Sequence, residues 1–302
     1  WSQEEKIKIL CPAPGYDNHF VISEHFGAEM ITIPMTEHGP DMDKVEEEVK
    51  DPAVKAIWCV PKYSNPQGII YSEEVISRLA HLKPAAPDFT ILWDNAYCVH
   101  EIDGEYLPFP DILRLCKEAG NPDMVFEFAS TSKITMPGSG VSVLAANEDN
   151  LQYITKLMSC ELISYDKVNQ LRHVKYLKDK EHVIDLMKKH AEILKPRFDA
   201  VVNALERELK PLGIGKWHKP KGGYFVSFEA VPGTAKRTLQ LCKEAGVIMT
   251  PAGATYPYGM DPYDSNIRIA PTRPPVEELC EAMEVFCICT KIAVLEKMIL
   301  EK

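Results

Sequence analysis

Lys133 stands in the run Phe128-Ala-Ser-Thr-Ser-Lys133, just past a stretch apolar enough to be a buried strand. An ammonium beside a core is poorly solvated, and desolvation lowers its pKa toward neutrality, where the amine is a nucleophile for aldehydes. Asp94 closes the run Phe89-Thr-Ile-Leu-Trp93 and opens Asp94-Asn-Ala-Tyr97. A carboxylate at the end of a neighbouring strand can hold a proton on a pyridine nitrogen, and a phenol three residues on can hydrogen-bond the ring's O3′ oxygen. Lysine and aspartate together suggest pyridoxal 5′-phosphate (PLP) as cofactor. Taken singly, each has a plainer explanation: a solvated lysine, a cap or turn aspartate, a core tyrosine.

Four further groups could serve the same chemistry. Ser130 and Ser132 offer hydroxyls to phosphate oxygens or to the lysine. Asn65 opens Asn65-Pro-Gln-Gly68, which is either an ordinary turn or a loop presenting an amide to a phenolate oxygen. In Gly15-Tyr-Asp-Asn-His19, Tyr16 could stack on a cofactor ring and His19 could support Asp94 from behind; a core aromatic and a surface histidine are the alternatives. Arg268, flanked by apolar residues in Asn266-Ile-Arg-Ile-Ala270, needs a partner for its guanidinium, either a bidentate substrate carboxylate or an internal salt bridge.

The elements that must position these groups alternate. Apolar runs at 54–60, 89–93, 124–129 and 141–146 read as strands, and residues 72–82 read as a helix with Ser72 as N-cap. Such alternation predicts an α/β fold with a mostly parallel sheet and flanking helices, in which ligands gather at the carboxyl ends of the strands. From 166 to about 209 the pattern is helical and charged, and Pro196 is expected to kink or divide it. The domain boundary is placed there, giving a large domain over 1–195 and a smaller α+β domain over 196–302. In the latter, strands are expected at 223–228, 247–250 and 267–270, with helices near 234–245 and 276–300.

Composition narrows the function classes. A chain of 302 residues with 45% hydrophobic content can bury a large core, and a net charge of -10 argues against nucleic-acid or anionic-membrane partners. No apolar run approaches the length of a membrane span. The nine cysteines, among them Cys11, Cys59, Cys98, Cys116 and Cys160, lack paired metal spacing and read as reduced core thiols of a cytoplasmic protein. Cys287 and Cys289 in a helical pattern read as packing, and no metal site is expected. Trp1 in place of a methionine, followed by a strand-like run at 7–11, leads to the expectation that further residues precede it.

Taken in order, the motifs resemble a known family. Cys11-Pro-Ala-Pro-Gly-Tyr-Asp-Asn-His19, Trp93-Asp-Asn-Ala-Tyr97, Ser130-Thr-Ser-Lys133, Lys167-Val-Asn-Gln-Leu-Arg-His173, Lys221-Gly-Gly-Tyr-Phe225, Thr250-Pro-Ala-Gly-Ala254 and Asn266-Ile-Arg-Ile-Ala-Pro-Thr272 are similar to class I, fold-type I PLP-dependent aminotransferases, closest to the type Ic aspartate aminotransferase subgroup. The resemblance implies that Lys133 carries the cofactor and shuttles a proton, that Asp94 holds the pyridinium, and that Tyr97 and Asn65 meet O3′. It implies further that Tyr16 stacks on the ring, His19 backs Asp94, Arg268 binds the substrate α-carboxylate, and Ser130 and Ser132 meet the phosphate. The family's arginine after the lysine is missing from Met136-Pro-Gly-Ser-Gly140, so Ser139 or backbone amides are expected to substitute. The arginine that selects a dicarboxylic substrate is also missing from 159–165; Arg172 and Arg273 are the alternatives. Family members extend further at the N-terminus, with a dimer-contacting arm and a glycine-rich phosphate loop.

The implied activity is ping-pong transamination from an L-amino acid, aspartate by resemblance, to 2-oxoglutarate, in a homodimer with small-molecule amino-acid and 2-oxo-acid substrates. Two alternatives share the cofactor: a lyase acting on a Cβ-substituted amino acid, and a non-catalytic PLP-binding regulatory module.

Overall fold

The computed structural model describes residues 1, 4–103 and 105–301. Strands β1 (Lys8–Ala13), β2 (Glu29–Thr36), β3 (Gly39–Pro40), β4 (Val54–Cys59), β5 (Thr90–Asp94), β6 (Val125–Ser130) and β7 (Ser142–Ala145) form one sheet in the order β3-β2-β1-β4-β5-β6-β7. The pairings of β1 with β2 and β4, of β4 with β5, and of β5 with β6 are parallel; β3 and β7 run antiparallel at the two edges. Helices α1 (Asp17–His25), α2 (Met42–Glu48), α3 (Glu73–Ala80) and α4 (Ile112–Glu118) connect its strands, and α5 (Glu148–Glu161) and α6 (Lys167–Leu177) follow. The long α7 (Lys180–Glu208) leads to a three-stranded antiparallel sheet, β10-β9-β8, made of β8 (Lys216–Trp217), β9 (Val226–Glu229) and β10 (Asn266–Ile269). Helices α8 (Ala235–Glu244) and α9 (Val276–Leu300) pack on it, so the α/β sheet and the smaller α+β part are both present.

Local chemistry accounts for these elements. In β4 the run Val-Lys-Ala-Ile-Trp-Cys is buried at nearly every position, as expected of a central parallel strand covered on both faces. Ser72 caps α3 by accepting from the Val75 amide at 3.2 Å, and Val75, Ile76, Leu79 and Ala80 form its buried face. One apolar cluster lies where β1, β4 and β5 meet α2, α3 and α4; another joins α7, α8 and α9 to β9 and β10.

One expectation is corrected and another is narrowed. Of the two outcomes expected at Pro196, a kink or a division, division is not seen, because α7 runs through it, and the expected boundary lies within that helix. A proline within a helix costs about 3 kcal/mol. Burial of Met187 and Ala191 before it, and of Phe198, Val201 and Leu205 after it, offsets that cost. Residues 247–250 form no strand in the described structure, because the chain leaves α8 directly and the Val247 amide closes the helix end by donating to the Cys242 carbonyl at 2.8 Å. Among the cysteines, which are all free, Cys160 and Cys280 are exposed rather than core residues, while Cys287 and Cys289 are buried in α9. No described helix is long and apolar enough to cross a membrane.

A buried ion pair braces the loops that follow β4 and β5. Lys62, with a fully buried side chain, donates to Glu101 Oε1 at 2.6 Å and to the carbonyls of Cys98 and Leu107 at 2.8 and 2.7 Å. Lys62→Met leaves the Glu101 carboxylate buried without its cation and should lower stability by about 3–5 kcal/mol. Chemical denaturation checks this, with a smaller loss expected for the double variant Lys62→Met/Glu101→Gln.

Candidate active site

Strand order reverses at β1, whose neighbours β2 and β4 lie on opposite sides, and the crevice beyond the carboxyl ends of such strands is where α/β sheets bind ligands. Tyr16 and His19 follow β1, Asn65 follows β4, Asp94 ends β5, Ser130 ends β6, and Lys133 lies in the turn after it. The sheet therefore brings to one edge residues far apart in sequence. Arg268 reaches the same region from β10 in the smaller sheet.

Asp94 is held from behind. Its Oδ2 lies 2.9 Å from His19 Nε2, and the His19 ring stacks on Trp58 with centroids 4.0 Å apart and planes 7° from parallel. Trp58 Nε1 donates to Ser23 Oγ at 3.0 Å, and Ser23 Oγ donates to the His19 carbonyl at 2.8 Å. One turn of α1 and one residue of β4 thus fix the imidazole that fixes the carboxylate. Tyr16 meets His19 edge-on at 5.0 Å; burial, then the carboxylates of Asp17 and Asp94, pushes its phenol pKa up.

Lys133 is half-buried, and its ammonium has no hydrogen-bond or ion-pair partner among the described residues. It lies 5.0 Å from the centre of the Tyr97 ring. Desolvation pushes its pKa below the ordinary lysine value, and the charge of Asp94 opposes this only in part. The turn itself is clamped. His100 Nε2 lies 3.3 Å from the Lys133 carbonyl, and Tyr224 Oη donates to the same oxygen at 3.0 Å. Thr131 exchanges hydrogen bonds with Val141, and Thr135 Oγ1 lies 2.9 Å from Nε2 of the buried His173 on α6. Gly222 is required beside this clamp, since a Cβ there would lie 2.5 Å from the His100 carbonyl and 2.6 Å from the Tyr63 ring.

The other candidates divide. Tyr97 is buried, and burial holds its phenol in the neutral form at physiological pH. Ser130 and Ser132 hydroxyls lie 2.8 Å apart, beside Gly140. Ser139 is half-buried, and its carbonyl accepts from Asn169 Nδ2 at 3.0 Å. Asn65 is buried, with Oδ1 accepting from Arg268 Nη1 at 3.3 Å. Arg268 also pairs with Asp17 through both terminal nitrogens, at 2.9 and 3.1 Å, so its internal salt bridge is present. Arg172 is exposed on α6 and donates to Asn169 Oδ1 at 2.5 Å, which connects it to Ser139 only through that asparagine. Arg273 is exposed. Sequence reading missed Asp17, Trp58, His100, His173 and Tyr224 as supports. Tyr224 sits within the Lys221-Gly-Gly-Tyr-Phe225 run, but nothing in a single sequence marks His100 or Trp58.

A desolvated lysine, a braced aspartate and an arginine paired with a carboxylate gather at the switch point of a seven-stranded α/β sheet, an arrangement that fits the fold-type I transferases. A family profile described as "Aspartate amino-transferase" matches residues 1–302. The chain is 48% identical over 296 residues to an aspartate aminotransferase of Corynebacterium glutamicum, covering 98% of this chain and 68% of that one. The crystal structure of an aspartate transaminase from that organism superposes with a TM-score of 0.97 at 48% identity, over 98% of this chain and 70% of that one. An α-aminoadipate aminotransferase of Thermus thermophilus, solved with N-(5′-phosphopyridoxyl)-L-leucine, shares the fold with a TM-score of 0.81 at 24% identity, over 97% of this chain and 73% of that one. The chain belongs to the aspartate aminotransferase family and is an aminotransferase.

The family implies PLP, and the residues fit it. An unpaired, desolvated amine suits covalent attachment, a braced carboxylate suits a protonated ring nitrogen, a neutral phenol lies beside the lysine, and a buried amide is held by Arg268.

Two measurements probe this geometry. The rate of Lys133 modification by an amine-selective acylating reagent, followed by mass spectrometry against pH, should have its midpoint below that of the exposed lysines; a midpoint at or above theirs contradicts the desolvation argument. Burial pushes the His100 imidazole down to about 4 from its ordinary 6.5. Between those values the unfolded chain binds a proton that the folded chain refuses, so stability falls as pH drops from 6.5 to 4, by about 3 kcal/mol in full. His100→Phe should flatten that part of the stability curve; an unchanged slope contradicts the assignment.

Proposed function

We propose that the chain transfers the amino group of an L-amino acid, aspartate in particular, to 2-oxoglutarate by a ping-pong mechanism with PLP. The observation that carries this reading is the Lys133 amine, desolvated and unpaired beside Tyr97 and within the field of Asp94. When bound, PLP supplies an electrophilic carbon and a sink for the electrons of the substrate Cα–H bond.

The chain's residues do the rest. Lys133 Nζ holds the cofactor between turnovers and, once released by the incoming amino group, takes the proton from substrate Cα. Asp94, oriented by His19, would keep a proton on the ring nitrogen, and Tyr97 and Asn65 would hydrogen-bond O3′. Tyr16 would stack on the ring; Ser130, Ser132 and Ser139 would serve the phosphate. Arg268 receives the α-carboxylate, with Phe225 lying 5.0 Å from its guanidinium carbon. Arg172, and after it Arg273, is the proposed contact for a distal carboxylate. Water supplies the oxygen with which the amino acid leaves as its 2-oxo acid, the amino group would stay with the cofactor, and a second 2-oxo acid would take it up with release of water in the reverse sequence.

A homodimer belongs to this reading. It is supported by α5, which buries no residue, and by the exposed apolar side chains of Tyr153, Leu157, Val168 and Leu171 on α5 and α6. A cytoplasmic setting is supported by the nine free thiols.

Absorbance after addition of PLP, for the wild type and for Lys133→Ala, tests the proposal. A band that requires Lys133, that changes on addition of aspartate and that reverts with 2-oxoglutarate is expected. Turnover should fall at least about a thousandfold in the variant. Pyruvate and ammonia released from a Cβ-substituted substrate such as β-chloroalanine, with no change on addition of aspartate, would instead identify the lyase chemistry, and a Lys133-dependent band that ignores every amino acid would identify a binding module.

A further inference from the structure

The guanidinium proposed to receive the substrate carboxylate already holds one. Arg268 Nη1 and Nη2 donate to Asp17 Oδ1 and Oδ2 at 2.9 and 3.1 Å, the end-on fork that a bound carboxylate would adopt. The remaining edge is closed. Nε is buried and without a partner, Asn65 Oδ1 takes a second bond from Nη1 at 3.3 Å, and the Phe225 ring lies 5.0 Å from the guanidinium carbon. The Arg268 side chain is 9% exposed and that of Asp17 37%, so the accessible end of the fork is the end Asp17 occupies.

We infer that Asp17 is a resident carboxylate on Arg268 that substrate must displace, and that it thereby sets the affinity of this anchor. The inference rests on the reading of Arg268 as the carboxylate anchor. One guanidinium neutralises one carboxylate. A second carboxylate arriving with Asp17 still in place would bring like charges together in a site where Asp94 also contributes negative potential at Tyr16. Exchange avoids this. Asp17 is the first residue of α1, where the unpaired amides and the positive end of the helix dipole favour a carboxylate released from the arginine. The exchange also has a mechanical consequence, because the Asp17 pair joins α1 of the large sheet to β10 of the small one. A substrate bound by both Arg268 and the groups around Lys133 would replace that link with itself, so the contact between the two parts would depend on occupancy.

Asp17→Asn keeps the shape and removes the charge. Calorimetric titration of the PLP-loaded protein with succinate, a dicarboxylate with neither amino nor oxo group, separates the outcomes. Asp17→Asn should bind succinate at least about tenfold more tightly than the wild type, roughly 1.4 kcal/mol, and Asp17→Ser should do the same, guarding against a folding defect in one variant. In an Arg268→Gln background, Asp17→Asn should change nothing. Affinity unchanged or weakened by both Asp17 variants overturns the inference, as does an equal gain without Arg268, which would reflect bulk charge alone. If Arg268→Gln binds succinate as well as the wild type does, Arg268 is not the anchor, and the substrate reading falls along with the inference.

Discussion

A lysine ammonium held half out of water with no counter-charge in contact is the constraint around which this structure is arranged. Such a group is unfavourable, and it keeps its place only where its surroundings are fixed firmly enough to prevent it from swinging into solvent. The turn that carries Lys133 is fixed through its backbone. Its carbonyl is gripped by His100 and Tyr224, its start is tied to Val141 through Thr131, and its end is tied to His173. His100 is in turn held between Tyr97 and the Gly222 segment, so the 97–102 loop, the lysine turn and the 221–224 segment form one packed unit.

The polarity of the site follows from a second rigid unit. Asp94 would be an ordinary strand-end carboxylate without His19, and His19 would have several rotamers without the Trp58 ring beneath it and the Ser23 hydroxyl on its carbonyl. These contacts link α1, β4 and β5, three elements adjacent only because the strand order reverses at β1. A carboxylate fixed in this way can hold a ring proton without having to be reoriented during reaction, which is the advantage of preorganised electrostatics over a mobile charge.

Arg268 joins these units to the smaller sheet. Its bonds to Asp17 and Asn65 cross from β10 to the large sheet, and its hydrophobic surroundings make the identity of its anionic partner matter more than it would in water. The proposed carboxylate anchor and the join between the two parts of the fold are therefore the same side chain.

Much of this was legible in the sequence. The alternating apolar runs predicted the central strands, Ser72 announced α3, and the ordered motifs carried the family, because strand burial, helix capping and turn chemistry are local properties of the chain. The run at 247–250 misled for a related reason: local propensity speaks for a strand, while the end of α8 decided otherwise, and at Pro196 burial of both halves of α7 keeps a single helix. The sequence by itself determined the candidate groups, Lys133, Asp94 and Arg268, since the chemistry available to each resides in its side chain. Only the tertiary structure decided that Lys133 is clamped by His100 and Tyr224, that Trp58 lies under His19, and that Arg268 is paired with Asp17. Those are contacts between residues distant along the chain, and they exist only once strand order and sheet packing have brought their elements together.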